Sequence, residues 1–341
     1  MSGKKIWKRM SAAVLAALMV MAGTGCGGDD PAADGGDAEN TVEKITFVLD
    51  WTPNTNHTGV YAAQELGYYE EAGLEVEIQQ PPEDGANMAV ASGKAQFGVG
   101  FQETLVPALA AEEPLPITAV AALLTHNTSG LISAKDKNIT SFKDLEGKSY
   151  ASWDTPSELA IIEQCMEAEG ADFSKLKTVP HSGADALSLM QTGDVDVVWV
   201  YEGWDVKMAD LADVSYNFVK FTDAAPVLDY YTPLLIANNS FLEEKPEAAK
   251  AFLAATAKGY QYAMEHPEEA AEILCKADPA LNKDLVLLSQ KFMADQYQAE
   301  SPKWGIIDKD RWTAFNDWML EKGLVSYELG SAGYTNDYLP Q

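Results

Sequence analysis

Residues 91–102 read ASGKAQFGVGFQ, and residues 191–202 read QTGDVDVVWVYE. Each stretch is the end of a helix, a glycine, a short polar turn and an apolar strand. Around the first, Lys44–Asp50 (KITFVLD), Leu74–Gln79 (LEVEIQ), Gln96–Phe101 and Ile117–Leu123 carry strand patterns. Gly59–Leu66 and Ala86–Ala91 carry helical ones, with Gly67 and Gly93 as stops. The plan then recurs. Lys148–Ser152, Leu176–Pro180 and Asp194–Tyr201 are predicted strands, and Pro156–Glu169 and Ala184–Gln191 predicted helices. Strand-helix alternation in two equivalent halves predicts an α/β protein of two lobes, each a mostly parallel sheet with flanking helices.

A length of 341 residues exceeds one compact core and suits two. After a strand at Pro233–Asn238 the chain reads as almost all helix: Glu247–Met264, Pro267–Lys276, Asp284–Gln298 with Asp284 as N-cap, and Asp310–Lys322. This tail is expected to wrap the first lobe. The chain would therefore leave lobe one (44–126), build lobe two (127–233) and return (234–341). Segments crossing at about Leu124–Ser133 and Tyr230–Ile236 would form a hinge.

The N-terminus has a basic stretch (Lys4, Lys5, Lys8, Arg9) and an uncharged apolar run, Ala12–Ala22. The run is too short for a mature span and suits a signal-peptide core. Gly23-Thr24-Gly25-Cys26 resembles a bacterial lipobox, which implies a signal peptide over 1–25 and a lipid on Cys26. Residues 26–43 are acidic and rich in Gly and Ala, as in a flexible tether. The expected location is the extracytoplasmic face of the cell membrane.

The net charge of -28 repels phosphate backbones, so nucleic acid is not an expected partner. Cys165 and Cys275 are isolated and assigned to different lobes; a bond between them would restrain the hinge, so both are expected as thiols. No CxxC or HExxH pattern occurs and the four histidines are scattered, so neither a metal nor a cofactor is expected.

In open α/β sheets ligands bind beyond the carboxyl ends of strands. The first strand runs into Asp50-Trp51-Thr52-Pro53-Asn54-Thr55-Asn56-His57-Thr58. The other ends and the first crossing supply Gln102, Asn127, Trp153, Glu158, Tyr201, Glu202 and Trp204. Trp51, Trp153 and Trp204 could offer flat faces to a ring, and Asn54, Asn56, Asn127 and Gln102 paired donors and acceptors. Glu202 is the strongest candidate, because a carboxylate directly after an apolar strand needs a partner. These segments hold no Lys or Arg, which disfavours a sulfonate, phosphate or carboxylate ligand and favours a neutral or weakly basic aromatic amine. Each residue also has a plainer use. Asn54 and Asn56 suit a turn, His57 a helix cap, and Glu158 the first turn of a helix.

The stretch 50–61, DWTPNTNHTGVY, resembles the thiamine-pyrimidine-precursor binding family, periplasmic binding proteins related to the fungal thiamine-pyrimidine synthases. So do Gly67-Tyr68-Tyr69, Ser92–Gly98, His126-Asn127-Thr128-Ser129-Gly130 and Tyr201-Glu202-Gly203-Trp204. The resemblance implies a type II periplasmic-binding-protein-like fold. It also implies a monomeric solute-binding component that works with ABC permease and ATPase subunits. The implied ligand is formylaminopyrimidine or hydroxymethylpyrimidine; relatives that bind riboflavin or other flat heterocycles leave its identity open. The fungal synthases use pyridoxal phosphate, sacrifice a histidine and carry a cysteine-rich motif. This chain has no such motif, so it is expected not to be an enzyme, with His57 and His126 the residues on which a synthase alternative would turn.

Overall fold

The computed structural model describes residues 42–181 and 185–341. The predicted signal segment, Cys26, most of the tether and Ala184 lie outside the described residues. The described strands are β1 (Glu43–Val48), β2 (Leu74–Gln79), β3 (Phe97–Gly100), β4 (Ile117–Ala122), β5 (Ser129–Ala134), β6 (Ser149–Ser152), β7 (Lys177–Pro180), β8 (Val197–Tyr201), β9 (Tyr216–Lys220) and β10 (Leu234–Asn238).

They form two sheets of the same plan, β2-β1-β3-β10-β4 and β7-β6-β8-β5-β9. In each, the first three strands are parallel and the last two pair antiparallel. Four of the five strands in each sheet run the same way, so the sheets are mostly parallel, as the alternation predicts, with one reversed strand, β10 or β5. The reversed strand comes from the crossings. β5 enters the second lobe and β10 re-enters the first, each running against the strand beside it. β9, absent from the sequence reading, lies half-exposed at a sheet edge, where hydrophobic alternation is weak.

The first sheet buries Phe47 and Phe97 against Phe252 of the Pro246–Glu265 helix, with Phe97 stacked at 4.2 Å between centroids. Burying each such ring stabilises the fold by about 2–3 kcal/mol. Gly259 of this helix meets Gly59 of the Thr58–Glu65 helix so closely that a Cβ on Gly259 would lie 2.0 Å from the Gly59 carbonyl. That approach sets the depth at which the loop after β1 is held. In the second lobe Tyr150, Trp199 and Phe221 pack with Ile161 and Cys165. Cys165 and Cys275 are free thiols in separate clusters.

The helical tail is not confined to the first lobe. On the Lys309–Glu321 helix, Trp312 packs with first-sheet residues such as Leu234, while Phe315, Trp318 and Met319 pack with Tyr150 and Ile161 of the second. Trp318 Nε1 donates to Gln164 at 2.9 Å, and Lys322 pairs with Glu167 at 3.0 Å. The helix is apolar on both sides of its burial stripe, so it serves both cores. The Lys283–Ala294 helix is capped by Asn282, whose Oδ1 accepts from the Asp284 and Leu285 N–H groups; Asp284, the predicted cap, stands two places past it.

Candidate functional site

A cavity of about 430 Å³ opens at the carboxyl ends of the parallel strands of both sheets. One wall comes from the loops after β1 and β3, the other from those after β6 and β8.

The loop after β1 is built by its own polar groups. Asn54 caps a short turn, Thr55–His57: its Oδ1 accepts from the Asn56 N–H at 2.9 Å, and its own N–H donates to His57 Nδ1 at 3.2 Å. Accepting there leaves the His57 proton on Nε2, which donates to Asp50 Oδ1 at 2.6 Å. His57 is fully buried and acts on the cavity through Asp50, which lines it. Trp51, held between these groups, is 57% exposed at the cavity mouth.

The facing loop follows β6. Trp153, 46% exposed, stands opposite in the lining. Glu158 fixes its backbone: the carboxylate accepts from Tyr150 OH at 2.5 Å, Ser152 Oγ at 3.1 Å, and the N–H groups of Trp153 and Thr155 at 3.0 and 3.3 Å. Asp154 adopts a left-handed backbone (φ 60°), which an Asp tolerates, and turns the chain sharply after Trp153.

Beyond β8 the chain makes a wide turn, Glu202–Val206. This turn sends Trp204 and Asp205 into the cavity wall and Glu202 away from it. Glu202 pairs with Lys220 at 2.6 Å, because β5 places the β9 residue Lys220 alongside. The carboxylate after the apolar strand does have its partner, but that partner is a lysine of β9, two strands away across β5. Gln102 and Asn127 are also set apart from the cavity. Gln102 is buried, donating to Trp312 O and Asn316 Oδ1 and accepting from the Tyr231 N–H. Asn127 zips the two crossings together, donating to Leu228 O at 2.8 Å and accepting from Ser129. His126 is tied outside the cavity to Asp229 and Glu300. Of the candidate residues, Trp51, Asn54, Asn56, Trp153, Glu158, Tyr201 and Trp204 share the cavity, and His57, Gln102, Asn127 and Glu202 stand behind or away from it.

Glu103, Asp205 and Trp199 are among the lining residues that the sequence did not single out. Glu103 follows the predicted Gln102 by one place, and its side-chain direction depends on helix phase. Burial pushes its carboxyl up to about 8; the nearby Thr232 hydroxyl lowers it without making a well-formed hydrogen bond, and Oε2 has no partner among the described residues. Asp205 is pushed by burial up to about 6, with the Tyr201 N–H, which donates to it at 3.0 Å, pulling the other way. Trp199 lines the cavity with an unpartnered Nε1, 5.9 Å between centroids from Trp153. Among the described residues the lining holds four carboxyl side chains and neither Lys nor Arg, so its field favours amines and repels anions.

A family model described as NMT1/THI5 like matches residues 54–270, from the Asn54 cap into the helical tail. The formylaminopyrimidine-binding protein of Halalkalibacterium halodurans is 26% identical over 309 residues, 86% of this chain and 91% of that one. The 4-amino-5-hydroxymethyl-2-methylpyrimidine phosphate synthase of Legionella pneumophila is 28% identical over 308 residues, 87% and 92% of the two chains. Among solved structures, the periplasmic aliphatic sulphonate binding protein SsuA from Escherichia coli superposes with a TM-score of 0.67 at 15% identity, covering 88% of this chain and 94% of that one, a likeness of fold. The resemblance carried by the PNTNHTG and HNTSG stretches is borne out, and the chain belongs to the NMT1/THI5-like family.

Proposed function

We propose that this protein is the solute-binding component of an ABC importer. It sits on the extracytoplasmic face through a lipid on Cys26, and takes up a thiamine pyrimidine precursor, formylaminopyrimidine or hydroxymethylpyrimidine, without turning it over. Lobes of 44–126 with 234–341, and of 127–233, would close on the ligand by motion at the crossings. The observation that carries this reading is the pairing of two exposed tryptophans, Trp51 and Trp153, one on each wall of a carboxyl-lined cavity. Two facing indoles suit a flat ring, and buried carboxyls suit an exocyclic amine. The name of the Halalkalibacterium halodurans relative supports the same ligand class.

The synthase alternative draws on relatives with that name and similar identity. None of the four histidines lines the cavity, which supports binding without turnover. Further, among the described residues no helix is long and apolar enough to cross a membrane, and no cluster of His, Cys, Asp and Glu is placed to hold a metal ion.

The test is a thermal-shift panel of formylaminopyrimidine, hydroxymethylpyrimidine, thiamine, riboflavin and taurine, with chromatography of the recovered ligand. The aminopyrimidines should raise Tm in a concentration-dependent way and come back unaltered. Stabilisation by taurine alone would discard the pyrimidine ligand. Stabilisation by riboflavin alone would move the site to another flat heterocycle, and an altered product would restore the enzyme.

A further inference from the structure

We propose that Glu103 is the group that reads the ligand, pairing edge-on with an amidine unit, a ring nitrogen beside an exocyclic amine. This rests on the reading just given and names the chemical feature the cavity selects.

Glu103 sits in the first turn of the Gln102–Leu109 helix, at the mouth of β3, where the lining of both walls converges. Its Oε2 is buried and unpartnered, unlike the Glu158 carboxylate, which is saturated by four donors. A buried polar atom without a protein partner costs about 1–3 kcal/mol, a cost that a ligand group can remove. No Lys or Arg in the lining competes for it.

No cation faces Glu103 among the described lining residues. Asp50 is on its own wall, and Glu158 and Asp205 are across the cavity. Tyr201 of β8 and Tyr230 of the second crossing feel its charge, and burial holds both phenols protonated well above neutral pH. Burial likewise raises the Glu103 carboxyl to about 8, so near pH 7 it presents one O–H donor and one C=O acceptor side by side. An aminopyrimidine edge presents the complement, a ring nitrogen acceptor and an amine N–H donor. Two parallel hydrogen bonds form, carboxyl O–H to ring nitrogen and amine N–H to carboxyl C=O, and no covalent bond changes. Above about pH 8 the free protein has lost that proton and must take one up to bind, so affinity falls.

The experiment is titration calorimetry with hydroxymethylpyrimidine on the wild type, Glu103→Gln and Glu103→Leu from about pH 7 to 9.5, above the range where Asp205 titrates. Glutamine reproduces the neutral donor-acceptor pair without a titrating proton. Wild-type affinity should fall by about tenfold per pH unit above 8. Glu103→Gln should lose less than about tenfold at pH 7 and show no such slope, and Glu103→Leu should lose about a hundredfold. A wild type that binds with no slope through pH 9.5 overturns the proposal. So does a Glu103→Gln variant that falls as far as Glu103→Leu, or a Glu103→Leu variant that binds like wild type. A wild type that binds neither hydroxymethylpyrimidine nor formylaminopyrimidine sinks the aminopyrimidine reading itself. The wild-type pH series stands even if a variant melts.

Discussion

Glu158 and Glu103 stand on opposite walls of the cavity. Each lies in the first turn of a helix that follows a parallel strand of its own sheet. On the second wall the carboxylate is spent on structure, taking two hydroxyls and two backbone N–H groups and so fixing the loop that presents Trp153. On the first wall the equivalent loop is fixed by other means. The Asn54 cap and the His57–Asp50 pair hold Trp51, and the carboxyl of Glu103 is left with an unpartnered oxygen. The same residue type, in the first turn of a helix on each wall, is therefore a brace on one side and a free recognition group on the other. What decides between them is whether the adjacent loop already has polar groups to close it.

The largest effect that could break this comparison is on stability. Glu158→Ala should destabilise the protein by about 3 kcal/mol or more, since it strands Tyr150 OH and the Trp153 and Thr155 N–H groups in a buried site. Urea unfolding measures it, and a loss below about 1 kcal/mol would deny the brace. Glu103→Leu should do the opposite, through pH. The folded carboxyl titrates near 8 and an unfolded one near 4.5, so the native state holds the proton more tightly. Wild-type stability is then eroded as pH rises through that window, and the leucine variant escapes the erosion. The variant's advantage should grow from about pH 5 to 8, by on the order of 1 kcal/mol per pH unit, and level off above. An advantage that stays constant with pH would mean that Glu103 is already satisfied in the folded protein.

The two-lobed plan was legible because its signal is local. Helix-glycine-turn-strand units at Ala91–Gly100 and Gln191–Val200 became β3 and β8, the central parallel strands of their sheets. The site was legible at the level of loops, because carboxyl ends of strands are fixed by the alternation itself. Within a loop, the sequence could not say which side chain turns inward. Gln102 and Glu103 are neighbours, and helix phase alone sends one to the tail helix and the other to the cavity. Partners distant in sequence were equally hidden. Asn127 meets Leu228 and Ser129, and the Lys309–Glu321 helix joins both cores, through contacts that neither periodicity nor composition records. The antiparallel strands β5 and β10 belong to the same class, since their direction follows from where the chain crosses.

Glu202 gives the smallest effect and the sharpest control. As the carboxylate directly after β8 it satisfies every sequence criterion that Glu103 satisfies, yet it is turned from the cavity and paired with Lys220 at 2.6 Å. Lys220 is partly exposed, with 39% of its side chain reached by solvent, so the pair stands in a screened environment. Glu202→Gln should therefore cost under about 1 kcal/mol of stability, should lose part of that cost at high salt, and should leave aminopyrimidine affinity within about twofold. Calorimetry on this variant beside Glu103→Leu separates a carboxyl that meets the ligand from one that only stands near it. If Glu202→Gln weakened binding as far as Glu103→Leu does, the wide turn at Glu202–Val206 would have to rearrange on closure, and the recognition role would pass from the first wall to the second.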